Sequence, residues 1–147
     1  MPDYDITITS HKADVIEAMK RQGLAALEAV GLKAEKYAKM KCPVGTPTST
    51  GIAHYVSSGL RQSITHKVAA NELYIGTNHF YGKYVELGTG IYASNGKGRK
   101  SPWVWRDKNG KAHFTHGMKP RHYLRDAASD HKEEYRRIFI KYLRGTI

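Results

Sequence analysis

The feature that most constrains this chain of 147 residues is an uninterrupted stretch with helical spacing near its N-terminus. Over residues 11–41, apolar or small residues recur three or four positions apart, which is typical of a helix with one buried face. Lys36, Lys39 and Lys41 end this stretch, where the helix dipole favours cations, and Pro43 then prevents the helix from continuing. We therefore predict one long helix over residues 11–41.

Two glycines, Gly23 and Gly31, interrupt this predicted helix. A glycine inside a helix costs about 1 kcal/mol relative to alanine, so each needs a compensating reason. We expect both glycines to mark places where another element approaches the helix closely.

The middle of the chain has the pattern of β-hairpins. We predict four strands that pair as two hairpins, over residues 63–68, 72–77, 103–105 and 112–114. The first pair is joined by residues 69–71, and the second by a connection that contains Asn109-Gly110, a dipeptide favoured in tight hairpin turns. Residues 80–90 lie between the hairpins and predict a short helix or turn.

A second helix is predicted over residues 123–143, where apolar residues again recur on one face. The order of elements predicts an α+β fold: an antiparallel sheet of hairpins with a long N-terminal helix and a C-terminal helix packed on one face. We expect a single domain, residues 1–147, with an enlarged loop at residues 43–59 and a projecting basic hairpin at residues 91–117.

The composition excludes several classes of protein. With 40% apolar and 25% charged residues, the chain is globular rather than disordered, and no stretch approaches the ~20 apolar residues of a membrane span. The first residues lack a basic segment followed by an apolar run, so we expect no secretory signal and a protein kept in the cytoplasm until assembly. Cys42 is the single cysteine, which excludes an internal disulfide, and we interpret it as a small packed residue rather than a nucleophile.

The positive charge is concentrated in the C-terminal third. Residues 97–147 contain 14 basic and 5 acidic residues, a net charge of +9, whereas the first 96 residues have a net charge of only +2. Such a distribution indicates a polyanionic partner, either nucleic acid or an acidic protein ring, or simply a well-solvated surface.

Within this third, basic side chains alternate with aromatic ones. The suspected contact residues are Lys97, Arg99, Lys100, Trp103, Trp105, Arg106, Lys108 and Lys111. Basic residues interleaved with aromatics suit contact with single-stranded nucleic acid. They equally suit a projecting hairpin that docks on a neighbouring subunit with its tryptophans as anchors.

Other patterns that could support chemistry have more ordinary explanations. His113, His116 and His122 form the best candidate metal cluster, but residues three apart on a strand face opposite sides and no acidic residue lies at ligand spacing. Glu86 could be a catalytic base, although such a residue more often caps a helix start or pairs with an arginine. We predict no catalytic residue, no cofactor and no metal.

Gly88-Thr89-Gly90 follows Glu86 directly. This segment lacks the third glycine and the helix of a dinucleotide-binding fingerprint, and it lacks the Lys-Ser/Thr end of a phosphate-binding loop. We therefore expect its glycines to permit a tight turn or a positive φ.

Several motifs occur in a set order along the chain. They are Pro43-Val44, Ser58–Ile64, Tyr84–Gly90, Gly96-x-Gly98 followed by Arg99–Val104, Asp107–Lys111 and Gly117–Ala127. In this order and spacing the sequence resembles the minor tail component family of lambda-like long-tailed phages, whose members act as head–tail joining (neck) or tail-completion proteins. One departure is that residues 45–57 intervene where the family passes almost directly from one motif to the next.

The resemblance implies a non-enzymatic ring subunit that is part of the virion and is made in the host cytoplasm. Its partners would be other copies of itself, in a ring of six or alternatively twelve, together with neck, connector or tail-tube proteins, and genomic DNA passing through the channel. Glu86, Gly88, Gly90, Pro120 and Arg125 would be structural motif residues. The alternative is a nucleic-acid-binding protein or small nuclease that uses the basic C-terminal third.

Overall fold

The computed structural model describes residues 10–44, 58–107 and 109–145. The elements in this part of the chain are α1 (Lys12–Lys41), α2 (Ser58–Gln62), β1 (Ile64–Ala69), β2 (Glu72–Thr77), α3 (Gly82–Leu87), β3 (Trp103–Arg106), β4 (Ala112–Thr115), α4 (Tyr123–Asp130) and α5 (Lys132–Arg144). A short 3-10 turn follows α3 at Gly90–Tyr92. The α+β prediction is confirmed, and α1 matches its predicted bounds almost to the residue.

Helix α1 runs through the middle of the fold, and its buried face is built from small residues. The buried positions are Ala26, Val30, Gly31, Ala34 and Ala38. Because these side chains are short, neighbouring elements can approach the helix backbone closely. The hairpin β1–β2 and the C-terminal helices both do so.

These two partners lie on nearly opposite faces of α1. Successive helical residues are about 100° apart, so Gly31 and Glu35 share one face while Lys33 and Tyr37 share another. On the first face, the Glu35 carboxylate lies 2.7 Å from Nδ1 of His66 in β1. On the second face, Glu134 of α5 accepts hydrogen bonds from Lys33 at 2.8 Å and from the Tyr37 hydroxyl at 2.6 Å. Helix α1 is therefore the layer that joins the hairpin to the C-terminal helices.

The hairpins form two separate two-stranded antiparallel sheets, β1–β2 and β3–β4. In the first, Ile64 pairs with Thr77 and Ala69 with Glu72, and the turn is made by Ala70 and Asn71 with φ of 51° and 64°. Two consecutive positive φ values are the geometry of the hairpin turns whose twist matches the strands. Both predicted hairpins are confirmed.

The structure differs from the sequence prediction at two places. Residues 58–62 form the short helix α2. Its first two residues belong to the predicted loop 43–59, and no element was predicted for the other three. The predicted second helix, residues 123–143, is divided into α4 and α5 at His131, whose ring stacks on that of Tyr37 with centroids 3.5 Å apart. Tyr135 donates a hydrogen bond to the Ala127 carbonyl across this break at 2.6 Å. Residues 45–57 of the predicted loop lie outside the described residues.

The hydrophobic core lies at the C-terminal end of α1. It consists of Ala38, Cys42, Leu60, Ile64, Tyr81, Val85, Tyr123 and Ala127. Burial raises the pKa of the Cys42 thiol, which agrees with the interpretation of this residue as a packed side chain. Tyr81 and Val85 connect the core to α3 and to the segment that follows it, where the candidate site is found.

The two glycines of α1 have different surroundings. A Cβ on Gly31 would lie 2.3 Å from Cδ2 of His66, so this glycine marks the close approach of the hairpin, as predicted. A Cβ on Gly23 would have no heavy atom within 4 Å in the described part of the chain, so no element of that part approaches Gly23 closely.

This difference gives opposite expectations for alanine at the two positions. We expect Gly23→Ala to raise the free energy of unfolding by up to about 1 kcal/mol, because only helix propensity changes. Gly31→Ala should lower it by about 1–2 kcal/mol, because overpacking against the His66 ring, which Glu35 holds in place, outweighs that gain. Urea titrations of both variants test this, and stabilisation by both would contradict the packing of β1 on α1.

Candidate functional site

A turn after α3 and a segment after β4 are in direct backbone contact, which is possible only with glycine. Gly90 has a φ of 61°, and a Cβ there would lie 1.9 Å from the His116 carbonyl oxygen. A Cβ on Gly117 would lie 2.1 Å from the Thr89 carbonyl oxygen. The amide of Thr89 donates to the Met118 carbonyl at 2.8 Å, which adds a hydrogen bond to this contact. The prediction that Gly90 permits a positive φ is confirmed.

Two further glycines tighten the same contact. Gly88 has a φ of 77°, as the turn prediction requires, and its Cβ would lie 2.8 Å from Cδ of Pro120. A Cβ on Gly98 would lie 1.9 Å from the Gly90 carbonyl oxygen. Sequence reasoning assigned no packing role to Gly98 or Gly117. Together these residues fix the position of the hairpin β3–β4 relative to α3.

Glu86 caps the start of α4. Its Oε2 accepts a hydrogen bond from the Leu124 amide at 2.9 Å and its Oε1 accepts one from the Arg125 amide at 3.0 Å. These amides belong to the first turn of a helix, where N–H groups lack helical partners and negative charge is favoured. The Arg125 guanidinium pairs with Asp126 at 3.0 Å instead. The interpretation of Glu86 as a helix cap is therefore confirmed.

The hairpin β3–β4 has two different faces. Trp103 and Trp105 lie half-buried on the face that is turned toward α3, and the Trp105 ring stacks on that of His113 with centroids 4.5 Å apart. Val104 and Phe114 are paired on the opposite face, where their exposed fractions are 60% and 66%. The tryptophans thus face inward, and the large apolar side chains that project from the hairpin are Val104 and Phe114.

An open groove of about 520 Å³ lies between the inner face of this hairpin and α3, and we call it the aromatic groove. Its main walls are Phe80, Tyr81, Tyr84, Trp103, Trp105 and Met118, and all the residues that line it are uncharged. Phe80 is 74% exposed, and both tryptophans of the chain line the groove. Sequence reasoning missed this groove, although the cluster of aromatic residues at positions 80–84 was a signal for one of its walls.

A second hollow adjoins the aromatic groove and gives it a basic rim. The two share Tyr84, Thr89 and Trp103, and the second is also lined by Lys83, Lys97 and Arg99. The Lys83 ammonium lies 5.0 Å from the centroid of the Tyr84 ring, and the Arg99 guanidinium lies 5.7 Å from that of the Trp103 ring. Both distances fit cation–π interactions, so these cations stand directly beside the groove walls.

The described members of the predicted contact set other than Arg99 and the tryptophans are exposed on the hairpin segment. Lys97, Lys100 and Lys111 are exposed, and none of them forms an ion pair with an acidic side chain in the described part of the chain. Arg106 donates to the Gly110 carbonyl at 3.0 Å and so helps to close the hairpin end. Lys108 lies outside the described residues.

The hairpin end is organised by Asp107. Its Oδ1 accepts hydrogen bonds from the amides of Asn109 at 2.9 Å and Lys111 at 3.0 Å, and its Oδ2 lies 2.9 Å from Nε2 of His113. The hydrogen bond to His113 and those to the backbone lower the pKa of the Asp107 carboxyl. Asp107 and His113 are thus engaged in the structure of the hairpin.

The histidines considered as metal ligands make separate contacts in the described part of the chain. His113 stacks on Trp105, whereas His116 is exposed and packs edge-on against Phe114. No three side chains of the His, Cys, Asp or Glu type come together as metal ligands in residues 10–44, 58–107 and 109–145.

Comparison with protein-family models, curated proteins and solved structures finds no match to this chain. Among the helices of the described ranges, none combines the length and the apolar character needed to cross a membrane. The contacts around the hairpin β3–β4 provide an uncharged aromatic groove with a cationic edge, which suits the binding of a partner that is apolar on one side and acidic at its border.

Proposed function

We propose that this chain is a structural virion protein of a long-tailed phage, a subunit of a homo-oligomeric ring at the head–tail junction. The observation that carries the proposal is that the ordered motifs of the resemblance fit together as one structural unit. Glu86 of the Tyr84–Gly90 motif caps the helix that begins in the Gly117–Ala127 motif, and Gly90 packs on the backbone of His116. These motif residues thus position the hairpin β3–β4.

The exposed apolar side chains of the hairpin support an assembly role. Val104 and Phe114 lie directly opposite each other on its outer face and are mostly exposed. Large apolar side chains grouped on a surface are typical of sites that become buried against another molecule. A closed ring requires a head-to-tail interface whose rotation closes, and we expect six subunits, with twelve as the alternative.

The proposal is tested by native mass spectrometry and negative-stain imaging of the purified chain at high concentration. We expect closed rings or tail-end particles for the natural chain. Val104→Glu/Phe114→Glu should reduce the ring fraction at least tenfold, because the double variant places two like charges on the outer face. A matched control is Leu32→Glu/Met40→Glu, whose side chains are 62% and 65% exposed on α1. A strict monomer that also fails to bind tails or connectors would contradict the proposal.

A second candidate function is the binding or cleavage of nucleic acid, favoured by the exposed Lys97, Lys100 and Lys111, which form no ion pair within the described residues. It predicts an affinity for DNA that falls by about 0.9 log units per log unit of salt for each phosphate neutralised. Absence of binding to duplex and single-stranded DNA at ~50 mM salt would reject it.

If the basic segment instead lines a channel of the ring, removing Lys97, Arg99 and Lys100 should impair genome retention more than ring assembly.

A further inference from the structure

The aromatic groove imposes two requirements on whatever occupies it. Its lining is uncharged, with Phe80 and Tyr84 on one side and the two tryptophans on the other, so the occupant must present apolar side chains inward. Its rim carries Lys83 and Arg99 beside Tyr84 and Trp103, so negative charge at the border of the occupant is favoured.

A segment of this chain outside the described residues meets both requirements. Residues 3–9 read Asp-Tyr-Asp-Ile-Thr-Ile-Thr. In an extended strand, alternate side chains point to the same side, so Tyr4, Ile6 and Ile8 would share one face. The segment includes Asp3 and Asp5, and residues 1–11 contain no lysine or arginine.

The length of α1 prevents this segment from reaching the groove of its own subunit. The groove is lined by Tyr81 and Val85, which pack in the same core as Ala38, near the C-terminal end of α1. From Lys12 to Ala38 the helix rises about 39 Å, at 1.5 Å per residue. An extended chain covers at most about 3.5 Å per residue, so Tyr4 lies within about 28 Å of Lys12 and Ile8 within about 14 Å.

We propose that the aromatic groove binds residues 3–9 of a second copy of this chain, with Tyr4, Ile6 and Ile8 against the aromatic walls and the aspartates at the basic rim. The contact joins the N-terminal end of one subunit to the hairpin side of the next, so it is head-to-tail and can propagate around a ring. This inference rests on the proposed assembly function and names the contact that would produce it. The occupant is a peptide rather than nucleic acid because the lining residues are uncharged and the segment supplies matching apolar side chains.

The first test uses the two tryptophans, which both line the groove and therefore report on its occupancy. In the Ile6→Asn/Ile8→Asn variant of the whole chain, tryptophan emission should shift to longer wavelength than in the natural chain. The reason is that the segment no longer occupies the groove, so the tryptophans are exposed to water. A synthetic peptide of residues 1–9 should restore the shorter wavelength saturably, and a peptide of the same composition with the alternation broken should not. Thr7→Asn/Thr9→Asn is the matched control, since it changes the other face of the same strand.

The second test mixes two variants that are each defective in one half of the contact. Ile6→Asn/Ile8→Asn has an intact groove, and Phe80→Glu/Tyr84→Glu has an intact segment but an acidic groove wall. Each variant alone should assemble at least tenfold more weakly than the natural chain. An equimolar mixture should form mainly one-to-one pairs, because only one of the two segment–groove contacts that each pair could make is intact. The outer face of the hairpin alone supports only the weak assembly expected of each variant by itself.

The outcomes separate this inference from the proposed function. If Ile6→Asn/Ile8→Asn forms rings as the natural chain does, the inference is overturned while the ring function stands. If the peptide binds saturably and the natural chain forms open chains of subunits but no closed ring, the segment–groove contact is supported and the ring function fails. If the natural chain does not associate at all, the inference is overturned. If oligothymidylate but not the peptide changes tryptophan emission saturably, the groove is a nucleic-acid site and the inference is overturned.

Discussion

Replacing Gly90 with alanine is expected to cost about 2–5 kcal/mol of the free energy of unfolding. The residue has a φ of 61°, a conformation that disfavours any residue with a Cβ, and its Cβ would overlap the His116 carbonyl oxygen at 1.9 Å. Backbone atoms cannot rotate away as a side chain can, so the turn and the segment after β4 must separate. Urea denaturation measures the loss of stability, and amide hydrogen exchange at Ile91, which donates to His116, reports the separation.

A matched control isolates the two sources of strain. Gly96 has a φ of 69°, but a Cβ there would have no heavy atom within 4 Å in the described part of the chain. Gly96→Ala should therefore cost only the conformational penalty of about 1–2 kcal/mol. Equal losses for the two variants would mean that the contact between Gly90 and His116 does not constrain the fold.

The sequence predicted those elements whose signals are local. Helix α1 was found because its spacing continues over about eight turns and ends before Pro43. The hairpins were found because alternation and turn residues occur together over a few positions, as at Asn109-Gly110. The break at His131 could not be found in this way, because Ala127, His131 and Tyr135 keep helical spacing across it. Contacts of His131 and Tyr135 with Tyr37, far away in the sequence, accompany the break.

The candidate site was only partly predictable for a similar reason. The alternation in β3 shows that Trp103 and Trp105 share a face, but a period of two does not say which face is turned inward. In one of the two interpretations of this segment the tryptophans project as anchors, whereas the structure turns them toward α3 and exposes Val104. The groove itself joins residues 80–85 to residues 103–118, and only the close contacts of the glycines bring these segments together.

The role of Glu86 leads to the second large effect that we expect. Glu86→Ala should lower the free energy of unfolding by about 2–3 kcal/mol, because it removes a charged acceptor from two amides of the first turn of α4. Glu86→Gln should lose less, since its single amide oxygen can still accept one of the two hydrogen bonds. Urea denaturation gives the totals, and hydrogen exchange at the amides of Leu124 and Arg125 should accelerate in both variants.

Glu133→Ala provides the matched control for this prediction. Glu133 is an exposed acidic residue in the first turn of α5, so its removal should cost only the dipole interaction, about 0.3–1 kcal/mol. If Glu86→Ala and Glu133→Ala lower the free energy of unfolding equally, Glu86 is not a structural cap. Its interpretation as a catalytic base would then have to be tested. If the difference is as large as expected, Glu86 is a structural residue that links α3 to α4. Helix α3 forms one wall of the aromatic groove, so the same residue also holds that wall in place. Under the proposed assembly through the aromatic groove, Glu86→Ala should also weaken the association of subunits, because the groove wall loses its anchor.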